Sequence, residues 1–197
     1  MPSTIWTIGH SHHPLETLCN LLAEHQIELL VDVRSDPYSR YASQFNRQTL
    51  STALPGRAVR YLFLGDLLGG RAEDPQFYDD EGHVRYDRLA ESPGFRQGIE
   101  RLLAGIGQFR AAILCSEEDP AHCHRRLLIG RVLTERGHTM LHIRGDGSLE
   151  SDETVAAQAG KPLIGAQPAL FAELDEDQWR STASVLPKNR QPSSSIR

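Results

Sequence analysis

The residues best equipped for chemistry are concentrated between Cys115 and Arg125, CSEEDPAHCHR, where two thiols, two imidazoles, several carboxylates and an arginine occur together. Either thiol could act as a nucleophile, activated by the start of a helix, by Arg125 and by an imidazole such as His124 or His10. The plain alternative is that both cysteines are buried and fill space. Cys115 and Arg125 stand too far apart to form the short cysteine-to-arginine anion cradle of phosphatase and sulfurtransferase loops.

A metal centre built from Cys115, Glu117, Cys123 and His124, with His10 or His12, is a second chemistry that these side chains allow. It is not expected here. On a helix starting at Ala121, adjacent side chains diverge by about 100°, so Cys123 and His124 would not share an ion, and the spacing matches no paired CxxC pattern. Anion binding is the third. Arg34 at a strand end and Arg125 near a helix start could present guanidinium forks and backbone N–H groups to a phosphate, with Ser11 and Arg40 nearby. Its plain alternative pairs Arg34 with Asp32 or Asp36 and leaves Arg125 on a solvated face.

Something must bring these groups together. Strand-like apolar runs at Thr4–Ile8, Leu29–Val33, Val59–Leu64, Ala111–Cys115 and Thr139–Ile143 alternate with helical patterns at Leu15–His25, Gln48–Leu54, Pro93–Gly107 and Ala121–Arg136. This alternation predicts a single three-layer α/β domain, with a mostly parallel central sheet and helices on both faces. In such sheets ligands gather outside the carboxyl ends of the strands. Three strands end there in polar text: Gly9-His10-Ser11-His12-His13, then Asp32 with Arg34-Ser35-Asp36, then Cys115 with Glu117. Asp119 and Pro120 suit the N-cap and first position of the helix that carries Cys123, His124 and Arg125.

The domain is expected over residues 1–145. A C-terminal extension with one acidic helix, near Ala166 to Ser181, covers 146–186, and 187–197 reads as a disordered tail. Residues between Leu64 and Pro93, rich in Gly, Asp and Glu, read as a long loop or lid with little regular structure. Gly69 and Gly70 before Arg71 make a turn without the spacing of a phosphate loop, and the acidic residues near them read as solvated.

With 197 residues and 39% apolar content, the chain is long enough for one domain with a real core. A formal charge of -5 argues against bulk coating of nucleic acid. The segment from Pro37 to Gly65 nonetheless lacks Asp and Glu and interleaves Arg40, Arg47, Arg57 and Arg60 with Tyr38, Tyr41, Phe45 and Tyr61. Such text can hold phosphates and stack bases, or simply send its aromatics into the core. An N-terminus without a signal pattern, and the lack of any long apolar run, point to a cytoplasmic protein without a membrane role. The odd number of cysteines fits a reducing compartment, with Cys19 buried on its helix.

Three motifs, TIGHS, LVDVRSDPYSR and LCSEEDPAHCHR, resemble in order and spacing the bacterial family called domain of unknown function 488. The resemblance implies an α/β fold and a cytoplasmic bacterial protein, and it implies no reaction or cofactor. QPALF, with Gln167, Leu170 and Phe171, resembles the short peptide by which bacterial DNA-processing proteins dock on the sliding clamp. The leading expectation is an enzyme-like pocket for an anionic ligand, a nucleotide or nucleic acid. Arg34 and Arg125 would hold the anion; Cys115, Glu117, Cys123 and His124 would lie nearest the chemistry; His10 and Asp32 would complete the site. The alternatives are a non-catalytic DNA-associated adaptor and a thiol or metal sensor.

Overall fold

The alternating apolar runs become strands of one six-stranded sheet. The computed structural model describes residues 3–159 and 179–185. Its strands are β1 (Thr4–Gly9), β2 (Leu29–Asp32), β3 (Arg60–Phe63), β4 (Ala111–Cys115), β5 (Thr139–Ile143) and β6 (Leu149–Ser151), in the order β3-β2-β4-β1-β5-β6. All neighbours are parallel except β6, which pairs antiparallel with β5. The helices are α1 (Leu15–Glu24), α2 (Arg47–Ala53), α3 (Gly65–Leu68), α4 (Tyr86–Glu91), α5 (Pro93–Ile106), α6 (Arg131–Glu135) and α7 (Asp152–Ala159). A π-helical turn, Arg125–Gly130, runs into α6.

Alternation along the strands gives the sheet two buried faces. Ile5, Val31, Ala111 and Ile113 face one core with residues of α3, α4, α5, the π-turn and α6. Ile8, Leu30, Ala112 and Leu114 face the other, which α1 and α2 cover through Leu18, Leu22, Leu50 and Leu54. Leu18 and Leu22 are one helical turn apart, so a single stripe of α1 docks on the sheet. Helix α5 starts sharply because the Ser92 hydroxyl accepts from the Phe95 N–H and Pro93 takes a first-turn position.

The chain leaves β2 over one face through α2, and leaves the adjacent β4 over the opposite face through the π-turn and α6. The carboxyl ends of β2 and β4 therefore flank a topological switch point, where the connecting loops separate and open a crevice.

Two local expectations are corrected. Residues 65–92 are not a structureless lid: α3 and α4 form there, and Leu68, Val84, Tyr86 and Leu89 enter the core. The glycines and acids that suggested a loop lie between these apolar anchors. Nor does a helix begin at Pro120. The Asp119 carboxylate accepts from the Ala121 N–H at 3.0 Å, but the turn closes when the Cys123 N–H donates to the Pro120 carbonyl, and helical structure begins only at His124.

The later residues also pack on the sheet. Arg126, fully buried, meets the Asp152 carboxylate at 2.6 Å, and His142 Nε2 lies 3.2 Å from the same oxygen. Trp179 packs edge-on against Tyr86, donates its indole N–H to the Leu127 carbonyl and leads into Ser181, whose N–H donates to the Val84 carbonyl.

Candidate functional site

Beside the β2/β4 switch point lies a cleft of about 330 Å³. Its floor holds Cys115 and His124; Ser116, Glu117 and His122 form one wall, Arg34, Ser35 and Asp36 a second, and Gly70, Arg71 and Ser181 to Ala183 close it. A broader, shallower groove of about 950 Å³ along α2 is lined by Tyr38, Arg47 and small polar residues and contains no thiol, imidazole or carboxylate. Chemistry therefore favours the smaller cleft.

Cys115 ends β4, while Cys123 and His124 stand at the start of the π-turn. Their ligand atoms lie within 4.8 Å of one another. His124 Nδ1 is 3.7 Å from Cys115 Sγ and 3.9 Å from Cys123 Sγ, and Nε2 lies 3.1 Å from the Val33 carbonyl. Because Cys123 precedes the helix, the divergence expected of adjacent helical residues does not separate it from His124. A hydrogen bond from the Cys123 thiol, then His124 and Arg125, hold the Cys115 thiol below the ordinary range against the effect of burial. Burial and the neighbouring Cys115 push Cys123 up. Burial presses His124 down, but Cys115 and the Val33 carbonyl outweigh it and raise the imidazole.

Gly70 matters because a Cβ there would lie 2.6 Å from His124 Cγ. The backbone of residue 70 thus packs directly on the imidazole and fixes its plane. In the sequence the Gly69-Gly70 pair read only as a turn, although a residue without a Cβ also permits this close backbone approach.

Asp32, Arg34 and His10 meet beside the cleft as a closed network. The Asp32 carboxylate accepts from Arg34 Nε and Nη2 at 2.8 and 2.6 Å, from the Arg34 N–H and from the Tyr61 hydroxyl. Arg34 also donates to the Phe45 carbonyl and, from Nη1 at 3.0 Å, to His10 Nε2. The guanidinium of Arg34 is therefore engaged internally, and the free anion fork expected of it is replaced by its pairing with Asp32.

His10 Nδ1 donates to the Ser11 carbonyl at 2.8 Å, leaving Nε2 as the acceptor for Arg34, and the ring stacks on Phe45. Burial first, and then the Arg34 charge, lower its pKa to about 4, although the Ser11 bond, Cys115 and Asp32 act the other way. The unfolded chain, with an ordinary imidazole near 6.5, binds this proton more readily than the folded protein does. Stability from His10 is thus fully present above about pH 6.5 and is lost as the pH falls toward 4, by on the order of 3 kcal/mol. Urea unfolding at pH 7.5 and pH 4.5 should show a larger acid loss in the wild type than in His10→Gln. Equal losses would remove His10 from the account.

Arg125 is buried completely and donates to the Glu117 and Glu118 carbonyls and to the Thr7 hydroxyl. It shapes the loop after β4 instead of offering a fork to an anion. Glu118 is held in turn by Arg144 at 2.9 Å and by the Gly145 N–H. Glu117 is exposed on the cleft wall. Ser11, at φ 45°, lies instead in a neighbouring hollow with His13 and Arg144. Arg40 sits over the exposed Tyr41 ring, outside the cleft.

Arg71 and His122 were not singled out by the sequence. Arg71 is exposed in the cleft, with its backbone N–H held by the Ser35 hydroxyl. Thr182 and its neighbours have no sequence signature at all, because backbone bonds from Ser181 and Val185 to Val84 and Gly82 seat that segment. The carboxylate-free stretch divides between roles: Phe45 is buried and Tyr61 supports Asp32, while Tyr38 and Tyr41 are exposed. Gln167, Leu170 and Phe171, proposed for clamp docking, lie outside the described residues.

A mostly parallel sheet covered by helices on both faces, with a thiol and an imidazole at its carboxyl edge, defines a protein of the α/β class. A family model for a domain of unknown function, DUF488, matches residues 14–132, well over half of the chain. The chain belongs to the DUF488 family. No curated protein and no solved structure compared with it gave a match. No helix among the described residues is long and apolar enough to cross a membrane.

Proposed function

We propose that this protein is an enzyme acting on a small anionic substrate, such as a nucleotide or another phosphorylated molecule. Arg71 and His122 would hold the anion at the walls of the cleft, and Cys115 with His124 would form its reacting end. The observation that carries this reading is the presence of thiol, imidazole and an exposed guanidinium in one cleft at the switch point. Arg34 and Arg125 then act as positioning residues: one secures the wall after β2, the other the loop after β4. The cleft's volume suits a nucleotide-sized or smaller ligand.

Calorimetric titration with inorganic phosphate, nucleoside monophosphates and a sugar phosphate tests the reading. At least one should bind, and Arg71→Ala should weaken it about ten- to a hundredfold, the worth of one charged hydrogen bond. Arg40→Ala, outside the cleft, should leave the affinity unchanged. If none of these ligands binds, or if Arg71→Ala binds as tightly as the wild type, the proposed function fails.

A further inference from the structure

We propose that Cys115, Cys123 and His124 bind a thiophilic divalent ion of the zinc type, leaving a fourth coordination position open to the cleft. This deepens the proposed function and rests on it only for the use made of that open position.

Tetrahedral zinc, with bonds of about 2.3 Å to sulfur and about 2.0 Å to nitrogen, separates a thiolate from an imidazole nitrogen by roughly 3.6 Å. The two sulfur-to-Nδ1 separations here are 3.7 and 3.9 Å, and the three ligand atoms form a compact triangle. A single N–H can be directed at only one of two sulfurs, whereas a cation between the three atoms engages all of them.

The surroundings suit a metal ligand as well. The Val33 carbonyl accepts from His124 Nε2, which places the Nδ1 lone pair toward the sulfurs and fixes the ring, as an outer hydrogen bond does for metal-binding histidines. Gly70 holds the imidazole from its other side. Two adjacent buried thiolates repel each other; a divalent cation between them makes the centre neutral, while the thiol protons pass to solvent. Cys123 is wholly buried, but Cys115 and His124 border the cleft. The coordination position left by three protein ligands therefore faces the space where substrate would enter, the arrangement of a catalytic site and not of a closed structural one. A water or substrate oxygen there would be polarised by the ion.

Cobalt(II), loaded in place of zinc and freed of excess ion by gel filtration, tests the site. The wild type should retain one ion per chain and show intense thiolate-to-cobalt absorption. Cys115→Ser and Cys123→Ser should lose that absorption, and Cys19→Ser should keep it. Folded wild-type protein without the thiolate band overturns the site. So does cobalt retained without that band, as would follow from binding at Asp79, Glu81 and His83, where Arg180 already pairs with both carboxylates. Should Cys123→Ser fail to fold, Cys115→Ser and displacement of cobalt by zinc in the wild type decide the matter. Phosphate titration of the same samples separates the two readings. Arg71-dependent binding without a metal removes only the ion, and a bound ion without ligand binding removes only the anionic substrate.

Discussion

Gly9→Ala is expected to lose about 3 kcal/mol of stability or more, and with it the geometry of the cleft. The added Cβ would stand 1.8 Å from the Glu117 carbonyl oxygen and 2.6 Å from Glu118 Cα, both backbone atoms. That backbone cannot easily retreat. Arg125 holds the Glu117 and Glu118 carbonyls from one side, Arg144 and Gly145 hold the Glu118 carboxylate, and the His10 and Ser11 N–H groups bond to Cys115 and Ser116. The clash must therefore either break this set or part β1 from β4. Gly56→Ala is the matching control, because nothing lies within 4 Å of a Cβ there. Urea unfolding should show Gly56→Ala close to the wild type and Gly9→Ala far below it, with loss of the cobalt absorption. A Gly9→Ala variant as stable as Gly56→Ala would mean that the loop after β4 is not held as described.

Asp32→Ala is expected to cost about 3–5 kcal/mol, the usual result of leaving one member of a buried ion pair behind. Asp32 is wholly buried, and Arg34 is only 7% exposed. Without the carboxylate, the guanidinium keeps the Phe45 carbonyl and His10 but has no counter-charge, and the Tyr61 hydroxyl loses its acceptor. Tyr61→Phe, which removes only that last bond, should cost about 1 kcal/mol. Replacing both charged residues, as Asp32→Leu with Arg34→Met, should recover much of the Asp32→Ala loss, since the greater penalty belongs to an unpaired buried charge. These variants can be compared by chemical unfolding at pH 7.5. A loss below about 1 kcal/mol for Asp32→Ala would show that solvent reaches Arg34 freely.

Several features of this site were legible in the sequence because they are local. Polar residues directly after apolar strands stand out when packing does not require them, so the ends of β1, β2 and β4 could be named. The pairing of Arg34 with Asp32 was visible as an alternative at a separation of two residues. Other features were hidden by a mistaken local premise. Asp119 and Pro120 carry good helix-start signals, yet the turn they make ends at Cys123, and that difference decides whether Cys123 and His124 can face one centre. Arg125 was visible as a charge but not as a brace, because its partners are backbone carbonyls, which have no residue type to read. Gly70 showed itself only as a glycine; its meaning lies in an imidazole more than fifty residues later in the chain.

By itself, then, the sequence determined the α/β architecture, the strand ends that carry polar groups and the family motifs, since these follow from periodicity and neighbouring residue types. Only the tertiary structure decided which of those groups share a cleft, because β4 inserts between β2 and β1 and the connections part on opposite faces of the sheet. That topology sets Cys115, Cys123 and His124 together, leaves Arg71 exposed in the same cleft and engages Arg34 and Arg125 internally. The physical reason is that a buried guanidinium must find hydrogen-bond partners wherever the fold supplies them, whereas an exposed one remains available to a ligand.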